Sequence, residues 1–225
     1  MKEFNFNYQA SKNYKKKLVY FLKSLSNVEI GGARLYDGLG NNYIQNPNEI
    51  AELVFFLKSY EKKNKLKLNN FLEIGFASGI NNTILNKFFN FKKNVAIDIV
   101  QPTGINYGTF YANLRFKKLV LLCGNSTSPE ILKSTKILGN YDIIFIDGGH
   151  EYKIVKSDFI NYSKLLSNNG LIILHDIKSN VVKGVPKFWR ELKKSHKSKF
   201  KFKEIFNGGN KMNCGLGILS KKDGK

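Results

Sequence analysis

From Asn70 onward the chain alternates short, continuous apolar runs with stretches of helical period. The runs are Phe71–Phe76, Val95–Val100, Leu119–Cys123, Ile143–Ile146 and Leu171–Leu174. Continuous rather than alternating hydrophobicity predicts strands covered on both faces, as in a parallel sheet with helices on each side. Helical patterns lie between them, notably over Ser128–Thr135 and Glu151–Leu166. Gly184-Val185-Pro186 opens another, with Val185, Phe188, Trp189 and Leu192 on one face. Lys201–Phe206 and Cys214–Leu219 complete a set of seven strands. The pattern predicts an α/β fold: a doubly wound, mostly parallel seven-stranded sheet with helices on both faces.

Residues 1–69 read differently, as a small helical extension before a main domain at 70–225. Lys15-Lys16-Lys17 followed by Leu18, Phe21, Leu22 and Leu25 predicts an amphipathic helix. A glycine-rich stretch runs from Gly31-Gly32 through Gly38 and Gly40 to Asn42, and Tyr36 and Asp37 within it are candidates for a lid. Asn46-Pro47-Asn48-Glu49 then reads as an N-cap, a first-turn proline and a capping-box glutamate. The helix it starts continues through Ile50, Leu53, Val54 and Leu57, and a linker over Glu61–Asn70 closes the extension.

Composition changes this picture in only one respect. The formal net charge is +20, yet of 37 basic residues only Arg34, Arg115 and Arg190 are arginine. Recognition of base edges and phosphates favours the planar arginine fork, so the lysines read as compositional drift, and nucleic acid stands as the alternative partner. No apolar run approaches the ~20 residues that span a bilayer. Leu18–Leu22 is too short for a signal-peptide core, so cytoplasmic residence is expected. Cys123 and Cys214 lack metal-type spacing and lie in apolar stretches, which predicts buried, reduced thiols.

In an open parallel sheet, ligands bind beyond the carboxyl ends of the strands, and here polar groups repeatedly follow the apolar runs. The first turn contains Glu73, Gly75 and Gly79, spaced E-x-G-x-x-x-G, without the GxGxxG that a pyrophosphate requires. Asp98 ends the second run, 25 residues after Glu73, where a carboxylate can accept both hydroxyls of a ribose; the simpler alternative is an acid capping a strand end. Asn125 follows the third run, placed either to meet an adenine or merely to start the helix at Ser128-Pro129. The fourth and fifth runs end in Asp147-Gly148-Gly149-His150 and His175-Asp176. Among the rest, His196 is expected at a solvated helix end, Trp189 in the core, and Asp158 facing solvent or the helix dipole.

The Phe71–Gly79 segment resembles motif I of class I methyltransferases, which have a Rossmann-like fold and bind S-adenosylmethionine. Tyr141–Tyr152 with Gly170–Ile177 resembles bacterial and tailoring O-methyltransferases that methylate sugars and related hydroxyls, including macrocin O-methyltransferase-like enzymes. That likeness runs from about Asn46 to Trp189. It implies that Glu73, Gly75, Gly79, Asp98 and Asn125 hold the cofactor. It further implies that Asp147 and Asp176 bind a divalent cation, magnesium or manganese, with His150 as general base. An imidazole of ordinary pKa ~6.5 can take a hydroxyl proton at neutral pH. This chain departs from the pattern at His175, where relatives carry Asp or Glu. Magnesium prefers oxygen, so histidine as a third ligand favours manganese or iron; otherwise the site works without metal. The resemblance implies a small-molecule or glycan acceptor and is compatible with an oligomer. An RNA methyltransferase and a non-catalytic S-adenosylmethionine-fold binding protein are the rival readings.

Overall fold

The structure is a computed structural model, and it describes residues 4–25, 29–30, 33–34, 45–77, 79–99, 118–207 and 214–222. The proposed lid residues Tyr36 and Asp37, together with Ser78, lie outside them. Two compact units emerge. One comprises the described residues of Met1–Lys67 with Ala77–Asn90; the other comprises those of Leu68–Phe76, Phe91–Val100 and Lys118–Lys225.

In the first unit, α1 (Lys12–Ser24) begins at Ser11, whose hydroxyl accepts from the Tyr14 amide, and α2 (Pro47–Asn64) begins at Asn46. The Asn46 side chain accepts from the amides of Asn48 and Glu49 at 2.9 and 3.4 Å. It thereby satisfies donors that the first helical turn leaves open. Leu18 and Leu22 of α1 and Ile50, Leu53, Val54 and Leu57 of α2 are buried. Helix α2 extends one turn into the expected linker and stops where Lys65 takes a left-handed conformation, φ 51°. A two-residue pair, β1 (Glu29–Ile30) with β2 (Ala33–Arg34), is antiparallel. Helix α3 spans Ile80–Phe89.

The second unit carries the sheet: β3 (Asn70–Ile74), β4 (Lys93–Asp98), β5 (Leu119–Cys123), β6 (Tyr141–Ile146), β7 (Leu166–Leu174), β8 (Phe200–Ile205) and β9 (Leu216–Lys221), in spatial order 5-4-3-6-7-9-8. The five strands from β5 to β7 are parallel, and β9 and β8 continue the sheet antiparallel. This is the expected mostly parallel, seven-stranded arrangement. Helices α4 (Pro129–Ile137), α5 (Tyr152–Tyr162) and α6 (Gly184–Ser195) place Ile131, Val155, Phe159, Tyr162, Val185, Phe188, Trp189 and Leu192 in one cluster with Leu72, Val95, Ile144, Ile172 and Leu219 of the sheet. The opposite-facing Phe71, Ala96, Ile143, Phe145, Leu171 and Ile173 are buried too, which is why these runs read as continuously apolar.

Three expectations need correction. Helix α5 ends at Tyr162, and a 3₁₀ turn over Ser163–Leu165 leads into β7, which starts at Leu166 rather than Leu171. Cys123 is exposed, because β5 is the edge strand and only part of it is covered. Asp158 is fully buried rather than solvent-facing: it shares the inward stripe of α5 with Val155, Phe159 and Tyr162. Trp189 is core, as expected, with Nε1 donating to Glu204 at 2.7 Å. His196 caps α6 with its ring 6.1 Å from that of Phe159, so it is packed at one side rather than fully solvated.

Candidate active site

Strand register brings the candidate residues to one edge. Ile74, Ile97, Ile146 and Leu174 form a row across four parallel strands. The next residues continue the ladder: Gly75 donates to the Ile97 carbonyl at 2.9 Å, Asp147 to that of Ile74 at 2.8 Å, and His175 to that of Ile146 at 3.1 Å. At the same edge the Gly124 amide donates to the Asp98 carbonyl at 2.7 Å. Strand β3 is where the chain, having laid β4 and β5 to one side, returns to lay β6 on the other. Ligand crevices form at such a switch point.

Two glycines hold the loop after β6. Gly75 has φ +89°, and a side chain there would start 2.0 Å from the Asp147 carbonyl oxygen. Only hydrogen fits, so the turn after β3 and the turn after β6 share backbone contact. At the far end, a Cβ on Gly184 would lie 2.3 Å from the His150 carbonyl oxygen.

The loop so held delivers Asp147 and His150 to His175 and Asp176. Nε2 of His150 lies 3.1 Å from Asp176 Oδ2 and 3.7 Å from Asp147 Oδ1. Nδ1 of His175 lies 3.0 Å from Asp147 Oδ1 and 3.3 Å from Asp176 Oδ2. Asp176 reaches this position with φ 62°, a left-handed conformation that aspartate tolerates better than most residues. The side chain of His175 is 2% exposed and that of His150 is 45% exposed, so one imidazole is structural in its burial and the other can meet a ligand.

Charge follows from that geometry. Hydrogen bonding to Asp147 and Asp176 raises the His150 pKa to about 10, against the pull of burial. Burial opposes a charge on His175, but the Asp147 carboxylate outweighs it and holds this pKa well above the ordinary value. The two carboxyls are held below their usual range: burial would raise both, and the neighbouring histidines overcome it. Without a cation, therefore, two negative charges are balanced by two imidazolium ions.

The same residues fit a metal. Despite its close approach to two carboxylates, neither ring nitrogen of His175 makes a hydrogen bond among the described residues. With their protons released, the imidazoles and carboxylates that converge here could hold a cation in place of those ion pairs. Asp147, His150 and Asp176 offer ligand atoms within 4.8 Å of one another.

The cofactor candidates lie outside this cluster. Glu73 is buried within β3, and Asp98 ends β4, half-buried. Gly79 starts α3 at φ +72° in the other compact unit. The Asn125 side chain accepts from the amide and hydroxyl of Thr127 at 2.9 and 2.8 Å, so its oxygen serves the turn that starts α4.

Sequence reasoning missed a further buried carboxyl nearby. Ser126 donates to Asp158 Oδ1 at 2.7 Å, and Tyr162 donates to the Ser126 carbonyl at 2.6 Å. Asp158 Oδ2 makes no hydrogen bond among the described residues and lies beneath Gly148. The network ties α5 to the loops after β5 and β6. Its signal was available, since an acid within the apolar stripe of a helix faces inward.

Residues 72–177 match the family model described as a methyltransferase domain. No curated protein matches the chain. Among solved structures, it is similar to the O-methyltransferase from Bacillus cereus in complex with S-adenosylhomocysteine (TM-score 0.62, 16% identity, 95% of this chain and 93% of that one). It is also similar to the O-methyltransferase TomG from Streptomyces achromogenes, involved in tomaymycin synthesis and bound to S-adenosylmethionine (0.65, 14%, 96% and 100%). The MycE methyltransferase of the mycinamycin pathway, bound to Mg and S-adenosylhomocysteine, matches more distantly (0.50, 13%, 77% and 53%). The fold is that of S-adenosylmethionine-dependent methyltransferases. No helix among the described residues is long and apolar enough to cross a membrane.

Burial, eased only by the Ser126 hydrogen bond, raises the Asp158 pKa to about 6 from an ordinary 3.8. A raised carboxyl favours the fold when protonated, so its contribution is full below pH 3.8 and lost as pH rises through about 6. Relative to wild type, Asp158→Asn should gain ~1–3 kcal/mol between pH 4 and pH 8 in urea unfolding. Parallel pH profiles for the two proteins would show that Asp158 carries no such cost.

Proposed function

We propose that the chain transfers a methyl group from S-adenosylmethionine to a hydroxyl oxygen of a sugar or related small molecule. The observation that carries this reading is the convergence of Asp147, His150 and Asp176 at the edge where the methyltransferase domain ends its parallel strands. Such transfer is an in-line displacement at a sulfonium methyl, and a neutral alcohol is a weak nucleophile. What the enzyme must supply is a place for the hydroxyl proton and an orientation for the oxygen.

Each residue has a part in that task. Asp98, at the tip of β4, binds the ribose of the cofactor, and the sequence resemblance adds Glu73, Gly75, Gly79 and Asn125 as cofactor residues. His150 is the proton acceptor: it is the exposed member of the cluster, and its ring is held by Asp176 at 3.1 Å. Asp147, Asp176 and His175 are the candidate ligands of a divalent cation, which when bound polarises an acceptor hydroxyl and weakens the carboxylates' hold on the His150 proton. His175 keeps the two aspartates apart and paired from its buried side. The domain division follows the same reading, with residues 1–69 as an extension to the catalytic region 70–225.

The acceptor class rests on the sequence resemblance and on two neighbours of the fold, TomG of tomaymycin synthesis and MycE of the mycinamycin biosynthetic pathway. It is tested by supplying labelled S-adenosylmethionine with glycosides and phenols, with and without Mg²⁺ or Mn²⁺. Label should enter as alkali-stable methyl ethers. Label entering RNA instead, or no acceptor at all, contradicts the reading.

Two substitutions separate binding from chemistry. Asp98→Ala removes charge-assisted bonds worth ~1.5–3 kcal/mol each, so calorimetry should show S-adenosylmethionine binding weakened ~10–100-fold; unchanged affinity would remove the ribose assignment. His150→Ala should lower kcat by roughly 10²–10⁴-fold with cofactor affinity nearly unchanged. Wild-type turnover in that variant would leave the histidine no part in proton transfer.

A further inference from the structure

One reactive group beside the site has no part in the mechanism above. Cys214 is 3% exposed and stands just before β9. The Lys178 amide donates to the Cys214 carbonyl at 2.8 Å, and that of Ile177 donates to the Gly215 carbonyl at 3.2 Å. This pairing extends the β7–β9 ladder past the strand ends and lays Cys214 alongside the segment that follows Asp176. As a result His175, Asp176 and Cys214 present an imidazole nitrogen, a carboxylate oxygen and a thiol sulfur within 4.8 Å of one another, all three buried.

A cysteine near two polar residues is weak evidence by itself. His175 supplies the independent observation. Its side chain is 2% exposed, and Nδ1 stands between the carboxylates at 3.0 and 3.3 Å without the alignment of a directed hydrogen bond. A buried imidazole without aligned hydrogen bonds is costly, and by giving up its proton it can offer a lone pair to an ion.

We propose that His175, Asp176 and Cys214 form a thiolate-bearing metal site that takes a late first-row divalent cation (Zn²⁺, Co²⁺ or Fe²⁺) in preference to Mg²⁺. The proposal rests on the reading of His175 and Asp176 as ligands and adds Cys214, which the sequence resemblance does not include. Ligand distances of about 2.0–2.3 Å around one ion keep its ligand atoms within ~4.6 Å of each other, so small side-chain rotations close the cluster. On binding, the S–H bond breaks, the sulfur–metal bond forms and the proton leaves to water. Magnesium demands an octahedron of hard oxygens and keeps its waters, whereas thiolate with imidazole selects softer ions. This makes sense of the histidine at 175: the replacement of a carboxylate there and the thiol beside it shift the site in the same direction.

The test is spectroscopic and needs no acceptor. The reduced full-length chain, stripped with a chelator, is titrated with Co²⁺ alone. A near-ultraviolet sulfur-to-cobalt charge-transfer band should grow to one equivalent and survive excess Mg²⁺. The chain holds two cysteines, Cys123 and Cys214, so Cys123→Ser assigns the band without touching the site: it should persist there. In Cys214→Ser it should vanish, with unchanged circular dichroism and Co²⁺ affinity lowered by more than the ~10–100-fold that loss of an outer-shell partner costs. Co²⁺ binding without the band, loss of the band in Cys123→Ser, its survival in Cys214→Ser, or no binding at all would each overturn the proposal. Calorimetry of S-adenosylmethionine on the same samples reports separately on the methyltransferase reading.

Discussion

Asp147 and Asp176 end neighbouring parallel strands, and both carboxylates are largely removed from water. Two like charges placed so close cannot both persist unless positive charge is brought to them. The chain answers with two histidines of opposite character. His175 approaches from the buried side, stacked against Phe145 with ring centroids 6.5 Å apart, and His150 approaches from the solvent side. The consequence is a competition. The carboxylates that orient His150 also hold its proton, so a base at this position works only when other positive charge relieves them. Metal binding and proton transfer are thus coupled through the same two side chains, and the choice between a metal-assisted and a metal-free site is not independent of the choice of base.

The backbone makes that arrangement reproducible. The loop from Asp147 to His150 is pinned at its start by the carbonyl contact with Gly75 and at its end by Gly184, each too close for any side chain. Gly75 belongs to the motif whose usual explanation is close approach to a cofactor; here its own loop neighbour already requires glycine. Beneath the same loop lies Asp158, a carboxyl that costs stability at neutral pH while linking Ser126 to α5. Such a group is unfavourable for folding alone, and its place between the turns after β5 and β6 gives it a positioning value.

Much of this was legible from residues. The continuous apolar runs located the five parallel strands, and Lys201–Phe206 and Cys214–Leu219 marked the antiparallel pair that completes the sheet. Asp147, His150, His175 and Asp176 stood out as polar groups following such runs, and parallel register places strand ends side by side. What was not legible depends on contacts distant in sequence or on the state of the site. Cys214 reaches Asp176 only through the antiparallel return of β9, which no local spacing encodes. The charge of Asp158 points to solvent, and only its place in an apolar stripe, with Ser126 to bond it, explains its burial. The exposure of Cys123 follows from the edge position of its strand, which an apolar run does not reveal. The ordinary pKa assumed for His150 ignored two carboxylates that only the fold brings to it.

The most direct test of this account is the titration of His150 by nuclear magnetic resonance of histidine-labelled protein, with His150→Ala used for assignment. In cation-free protein the ring should stay protonated through neutral pH and titrate at about 10. Ion pairing with the aspartates then contributes stability that is full below 6.5 and lost as pH rises through about 10. Saturating Mg²⁺ or Zn²⁺ should bring the titration down toward the ordinary value. A ring that titrates near 6.5 without any cation, or one whose titration no divalent cation moves, would contradict the coupling of metal and base.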